Sequence, residues 1–248
     1  MIIHRTLEFM ERNVICMKWG TKYGPHYVNR LYRHVSKNLS GDYRFICFTD
    51  DASGIDEGVE VFPIPEMDLD PNEPERGWKK LTILGETEAN MKGQVLFLDI
   101  DIIVRAPIDQ LFEHPGEFLI IQDWLRKHRQ IGNSSVFRFK AGAHADVLDY
   151  FVKNPQKVKN WVRHEQAYLT YKVRETTEVT YWPERWCVSF KRQCIPPVPI
   201  CWFKETQEPE DACIVVFHGH PNPPDAIAGI GKGFRQFRPA PWVAKYWD

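Results

Sequence analysis

The first hundred residues alternate short apolar runs with segments of helical spacing. Val14-Ile15-Cys16-Met17, ended by Trp19-Gly20, reads as a buried strand. Pro25 then opens a helix with Val28, Leu31, Val35 and Leu39 on one stripe, and Gly41 stands where a left-handed residue closes it. Phe45-Ile46-Cys47-Phe48 is a second strand, stopped by Thr49-Asp50-Asp51, and Val59 to Ile64 gives a short third one. Pro65 to Gly77, rich in Pro, Asp and Glu, is loop. Trp78, Leu81, Leu84 (or Ile83) and Glu88 resume helical spacing before Val95-Leu96-Phe97-Leu98, the strongest strand signal in the chain. This alternation predicts an α/β protein with a mostly parallel sheet flanked by helices. Ligands of such sheets bind beyond the carboxyl ends of the strands.

The second half is less regular. Phe118–Ile121 and Ser135–Phe139 read as strands, Ala143–Val152 and His164–Val173 as helices, and Ile214–Phe217 as a late strand ending in His218-Gly219-His220-Pro221. Between them, Tyr181 to Trp202 is rich in Pro and Trp. No repeat, low-complexity run or break in composition divides the chain, so its 248 residues are expected to form a single domain.

Composition changes this picture little. The chain is 43% hydrophobic and 26% charged, ordinary for a globular protein. Its formal net charge of −1 argues against a general binder of nucleic acid or anionic membranes. One basic cluster, Lys232, Arg235, Arg238 and Lys245, is interleaved with Phe234, Phe237, Trp242, Tyr246 and Trp247. It suits contact with phosphate or a membrane surface, or a solvated tail whose aromatics dock on the domain. The six cysteines form no CxxC pair, so zinc-ribbon and thioredoxin readings have no support, and reduced thiols are expected. Bridges Cys187–Cys194 and Cys194–Cys201 stay open. The polar stretch Met1 to Asn13 shows no secretory signal and no run is long enough to span a membrane, so a soluble cytoplasmic protein is expected, at most peripheral to the inner membrane face.

The candidate chemistry centres on Asp99 and Asp101. An Asp-x-Asp pair alone is a weak signal, but four apolar residues precede it and Ile102-Ile103-Val104 follow. On an extended strand, positions two apart share a face. Two such carboxylates suit a hard divalent cation, and leaving them buried without a partner would cost several kcal/mol. The plainer alternative is that one caps a turn while the other faces solvent. His218 follows a strand of its own, and Gly219 permits close approach to a phosphate. Lys79 and Lys80 open the helix before the carboxylate strand, where either could neutralise phosphate or remain a solvated helix end. Asp123 is a further strand-end carboxylate, Asn133-Ser134 precedes a strand, and Glu165-Gln166 starts a helix, where a carboxylate also complements the dipole.

The order of these segments resembles the GT-A glycosyltransferases, and among them the family that includes glycogenin and bacterial galactosyltransferases. The likeness rests on Val14–Trp19, Phe45–Asp51, Trp78-Lys79-Lys80-Leu81, Phe97-Leu98-Asp99-Ile100-Asp101, Asn133-Ser134-Ser135-Val136-Phe137, Glu165-Gln166-Ala167 and His218-Gly219. It implies a GT-A, Rossmann-like fold with a nucleotide-binding half at about 1–105 and a half completing the metal and acceptor sites at about 106–248. Met17, Trp19 and Thr21 would then contact the nucleotide, Tyr23 would stack on its base, and Asp50 or Asp51 would meet the uracil edge. Lys80 would lie near the donor. Asp99 would reach ribose and metal, and Asp101 and His218 would complete the ligands of a Mn²⁺ or Mg²⁺ ion. Asn133 and Ser134 would line the donor-sugar pocket, with Gln166 beside the reacting centre and Glu165 where the family usually has Asp.

The sequence also departs from that pattern. His220-Pro221-Asn222-Pro223 replaces the stretch that carries the family's diphosphate-binding lysine, for which Lys232 is the substitute candidate, and Ser135 replaces a usual Gly. The resemblance implies a metal-dependent transfer of sugar from a nucleotide-sugar donor, UDP-linked, to a glycan, lipid-linked or protein acceptor, with retention. Inversion would instead call on Asp123 or Glu165 as base. Trp182, Trp186 and Trp202 mark the region expected to hold an acceptor platform, although packing into the core also suits them. A haloacid-dehalogenase-like phosphatase shares the strand-Asp-x-Asp pattern, but there a small residue and Thr usually follow, and Ile102-Ile103-Val104 stands in that place. A non-catalytic nucleotide-sugar-binding module is the remaining alternative.

Overall fold

The computed structural model of the chain describes residues 10–70, 72–87 and 89–247. The leader reading of the first nine residues and the helical position of Glu88 lie outside the described residues.

β1 (Arg12–Lys18) is followed by helix α1 (Pro25–Asn38), β2 (Arg44–Thr49) and β3 (Glu60–Pro63). Pro25 occupies the first turn of α1, as its fixed φ favours. The helix ends at Asn38 with Leu39 already extended, so Gly41 closes the following turn rather than the helix. Trp78–Leu84 forms a 3₁₀ helix and leads to β4 (Gln94–Leu98). Then come β5 (Ile103–Val104), α2 (Asp109–Glu113), β6 (Phe118–Gln122) and β7 (Gly132–Lys140). Helices α3 (Ala145–Lys153), α4 (Pro155–Trp161) and α5 (Glu165–Val173) precede β8 (Val179–Tyr181) and β9 (Cys187–Ser189). After β10 (Ile214–Val216) the chain closes with α6 (Pro223–Ala228) and α7 (Pro241–Trp247).

Seven strands form one mixed sheet in the order β3-β2-β1-β4-β7-β6-β8. β3, β2, β1 and β4 are mutually parallel, β7 runs antiparallel to β4 and β6, and β8 is parallel to β6. The amino end of β7 therefore lies at the same edge as the carboxyl ends of β1 and β4. A second sheet, β5-β10-β9, starts where the chain leaves β4.

Alternation along the strands divides the core between the two faces of the main sheet. Val14, Cys16, Leu96 and Leu98 pack with Val28, Leu31 and Val35 of α1. Ile15, Met17 and Phe97 face the other way, onto Trp78, Phe151 and Tyr168. The buried guanidinium of Arg138 donates to the carbonyls of Leu111, Phe112, His114 and Gly116 at 2.7–2.8 Å and ties the α2 turn to β7. Burial lowers its pKa to about 10.

All six cysteines are buried free thiols. In the C-terminal segment Trp242 and Trp247 are buried by α7, whereas Phe234 is 85% exposed. Trp182 is buried and Trp186 packs against the core, so neither forms an exposed platform. Among the described residues no helix is long and apolar enough to cross a membrane.

Candidate functional site

β4 ends at Leu98, and the chain turns at Ile100–Asp101 before entering β5. The Asp-x-Asp segment is thus a corner between two sheets and not a continued strand, because Ile100 is drawn into the core. Asp99 and Asp101 nevertheless line one cleft of about 500 Å³ at the sheet edge. Met17, near the carboxyl end of β1, and Trp19 and Tyr23, beyond it, form one wall of the cleft, and Lys80 comes from the 3₁₀ helix. Asn133 and Ser134 enter from the start of β7, Glu165 and Gln166 from the start of α5, and His218 and Gly219 from beyond β10.

Charge in the cleft is organised around Lys80. Its Nζ lies 2.6 Å from Asp99 Oδ1 and 4.0 Å from Glu165 Oε1, donates to the Ser134 carbonyl at 3.4 Å, and sits 5.1 Å from the centroid of the Phe97 ring. Burial pulls the ammonium pKa down, but Asp99 and Glu165 outweigh it and the net shift is upward. Glu165 is buried beside Gly77 and bonded by the Ser134 hydroxyl. Burial raises its pKa, against the pull of Lys80. Asp101 Oδ2 accepts from the Tyr23 hydroxyl at 2.8 Å. Burial, then repulsion from Asp99, pushes the Asp101 carboxyl up to about 6.

His218 stacks on Trp124, with ring centroids 5.1 Å apart, and its Nε2 is 2.7 Å from Ser189 Oγ. Burial, then Lys191 and Arg192, lowers its pKa to about 4, which keeps the imidazole neutral at physiological pH.

Two carboxylates and a neutral imidazole are a donor set that suits a hard or borderline divalent cation. A bound cation would offset both causes of the raised Asp101 pKa, burial first and then repulsion from Asp99. Among the described residues no three His, Cys, Asp or Glu side chains converge closely enough to hold a metal as they stand. Binding through His218 Nε2 would displace the Ser189 contact, whereas binding through Nδ1 would keep it.

Several expected residues lie elsewhere. Thr21 is exposed and outside the cleft lining, and Asp50 is engaged in accepting the Gly20 amide at 2.8 Å. Asp51 Oδ1 accepts the Ser53 amide, which holds its carboxyl below the usual range. Asp123 opens onto an adjoining cavity shared with His164 and Gln166, and its Oδ1 accepts the amides of Leu125 and Arg126 at 2.9 and 2.8 Å. Lys232 lines a separate cavity. Conversely, Trp124, Ser189 and Asn222 belong to the site without having been read from the sequence; the Tyr23 hydroxyl lies 3.2 Å from Asn222 Oδ1. Trp124 follows a strand-end carboxylate and was open to detection on that ground. Ser189 was not, because only the parallel pairing of β9 with β10, Ser189 opposite Val216, brings it beside His218.

No family model matches the sequence, and no curated protein matches it significantly. Solved structures match its shape. The galactosyltransferase LgtC, determined in complex with donor and acceptor sugar analogs, superposes with a TM-score of 0.63 at 13% identity, covering 95% of each chain. An active-site mutant of LgtC with glutamate in place of a glutamine gives 0.58 at 12% identity, covering 94% of this chain and 93% of that one. The glycosyltransferase GlyE of Streptococcus pneumoniae TIGR4 gives 0.63 at 12% identity, covering 96% of this chain and 61% of that one. The chain has the GT-A glycosyltransferase fold.

Proposed function

We propose that the protein is a metal-dependent glycosyltransferase that moves a sugar from a nucleotide-sugar donor, UDP-linked, to an acceptor hydroxyl, with retention. The observation that carries this reading is the placement of Asp99, Asp101 and Lys80 in one cleft beyond the carboxyl end of β4, on a GT-A fold. A phosphatase of the strand-Asp-x-Asp type does not share this fold.

In this reading Asp99, Asp101 and His218 would hold Mn²⁺ or Mg²⁺, which would supply Lewis-acid neutralisation of the leaving diphosphate. Lys80 adds a fixed positive charge beside Asp99, where negative charge grows as the glycosidic bond breaks. Tyr23 orients Asp101 through its hydroxyl. Gly219, with a left-handed backbone at φ +75° and open space where a Cβ would stand, lets a phosphate approach the main chain. Trp19 and Met17 offer the nucleotide an apolar wall, and Asn133, Ser134 and Gln166 offer the sugar polar groups. LgtC also has an active-site glutamine, by the description of its mutant. Retention fits the state of the two carboxylates an inverting enzyme would need as base. Glu165 is tied to Ser134 and faces Lys80, and Asp123 Oδ1 is occupied by two amides outside the cleft.

The test is Asp101→Ala assayed with a panel of UDP-sugars and Mn²⁺. Hydrolysis or transfer that needs metal in the parent and is lost in the variant is expected. Unchanged donor turnover would sink the assignment, and donor binding without turnover would point to a binding module. The anomeric configuration of the first product, read by proton NMR, checks retention.

A further inference from the structure

A second cavity, also about 500 Å³, lies beyond His220 and Pro221 and shares no lining residue with the cleft. His218 and Gly219 line the cleft while His220 and Pro221 line the cavity, so a single four-residue segment is the wall between them. Extended backbone spans at most about 3.5 Å per residue, so this bent wall holds the two spaces no more than about 10 Å apart. One or two hexose rings can bridge a gap of that upper limit.

The chemistry of the cavity differs from that of the cleft. Lys191, Arg192, Lys232 and Arg235 converge on it, and none of their side chains has an ion-pair or hydrogen-bond partner among the described residues. Asp225 is the one carboxylate among the described residues within ion-pair distance of a lining side chain, and it faces His220 Nδ1 at 3.2 Å. His220 Nε2 is shut off from solvent and has no hydrogen-bond partner among the described residues. Burial, then Arg192, Arg235 and Lys232, depresses the ammonium pKa of Lys191, so these cations repel one another across the space. The remaining wall is apolar, from Ile195, Pro196 and Phe237. One turn with i→i+5 bonding, Phe190–Cys194, places Lys191 and Arg192 immediately after Ser189, the partner of His218. The tight turn at Gly231, where a Cβ would meet the Arg235 carbonyl at 2.1 Å, sets Lys232 against Arg235.

We propose that this cavity binds a phosphate group carried by the acceptor, so that the acceptor is a phosphorylated glycan whose reacting sugar extends across the His218–Pro221 wall into the cleft. Four convergent cations suit the two charges of a phosphate better than the single charge of a carboxylate. The assignment to an acceptor rests on the transferase reading above; the affinity for phosphate does not.

The test uses the full chain saturated with UDP, which fills the nucleotide site. Titration calorimetry with inorganic pyrophosphate is expected to show binding that weakens at least tenfold in Lys191→Gln/Arg235→Gln and falls with added salt. Circular dichroism of this variant, changed only at side chains near the surface, checks that it is folded. In transfer assays, hexose 6-phosphates are expected to exceed the free hexoses at least tenfold in kcat/KM, and the double variant to lose that preference. Absent or variant-independent pyrophosphate binding would overturn the site. Equal rates on the two acceptors, or intact pyrophosphate binding in a protein that turns over no UDP-sugar, would overturn the acceptor assignment, the latter together with the transferase reading. Co-sedimentation with phosphatidylglycerol vesicles that depends on Lys191 and Arg235 but is not displaced by pyrophosphate would overturn the proposal in favour of a membrane surface.

Discussion

Replacing Lys80 with methionine keeps the length of the side chain and removes its charge. Lys80 Nζ is 2.6 Å from Asp99 and 4.0 Å from Glu165, with side chains only 11%, 22% and 7% exposed. At an effective dielectric constant of about 20 these attractions are roughly 6 and 4 kcal/mol before desolvation is charged against them. Removing one partner of a buried ion pair leaves an uncompensated charge, which costs about 3–5 kcal/mol. At about 3 kcal/mol per M, Lys80→Met is expected to lower the urea midpoint at pH 8 by more than about 1 M. The sign of the pH dependence follows from the direction of the shifts. Lys80 has a raised pKa, so its contribution in the parent is constant below its ordinary value of 10.5 and is lost only above it. In the variant Asp99 and Glu165 lack their cation. Burial already raises the Glu165 pKa, loss of Lys80 raises it further, and the penalty grows as pH climbs past the ordinary carboxylate range. The deficit is therefore expected to shrink at pH 5, and Glu165→Gln in the same chain should recover part of it at pH 8. A loss below about 1 kcal/mol at pH 8, or the same loss at pH 5, would refute this account of the cleft.

Because protonated Asp101 cannot ligate a cation, and its carboxyl titrates at about 6, Mn²⁺ affinity should fall by about tenfold per pH unit below that value and level off above it. Electron paramagnetic resonance titrations between pH 5 and 7.5 measure this, and a flat profile contradicts it. Arg138→Met takes a donor from four carbonyls, of which Leu111 is buried and Phe112 keeps only Gln94 Nε2 at 3.2 Å among the described residues, and should cost about 3 kcal/mol, a fall in melting temperature of roughly 8 °C by calorimetry; an unchanged melting curve would show those carbonyls to be solvated. Gly77→Ala puts a Cβ 2.5 Å from the Glu165 carboxyl at φ +82°, so Glu165 must move. Transfer is expected to drop on the order of 10²-fold, as for a misplaced active-site group, and an equal rate would remove Glu165 from the site.

The alternation from Val14 to Leu98 made the parallel half of the sheet readable, because those strands are buried on both faces and their apolar runs are continuous. Lys80, Asp99, Asp101, Glu165 and His218 were readable as polar groups at element ends, and the structure brings them to one cleft. The turn at Ile100–Asp101 was not readable, since Ile102–Val104 carries the same strand-like pattern on either path. β8 and β9, three residues each, are too short for periodicity to register, and their pairing is set by tertiary contacts. The cavity that Lys232 lines was not readable, because its neighbours there, Lys191 and Arg192, lie some forty residues earlier in the sequence.

The corner at Ile100–Asp101 has a mechanical consequence. Asp99 is tied to β7 by its amide, which donates to the Ser135 carbonyl at 2.9 Å, so the first carboxylate and the Asn133–Ser134 segment belong to one stiff frame. His218 extends from β10, in the other frame, and the two are joined at β5 just past Asp101. Both frames pack into one hydrophobic core, so the separation of imidazole and carboxylates is set by the packing between the sheets and not by either sheet alone.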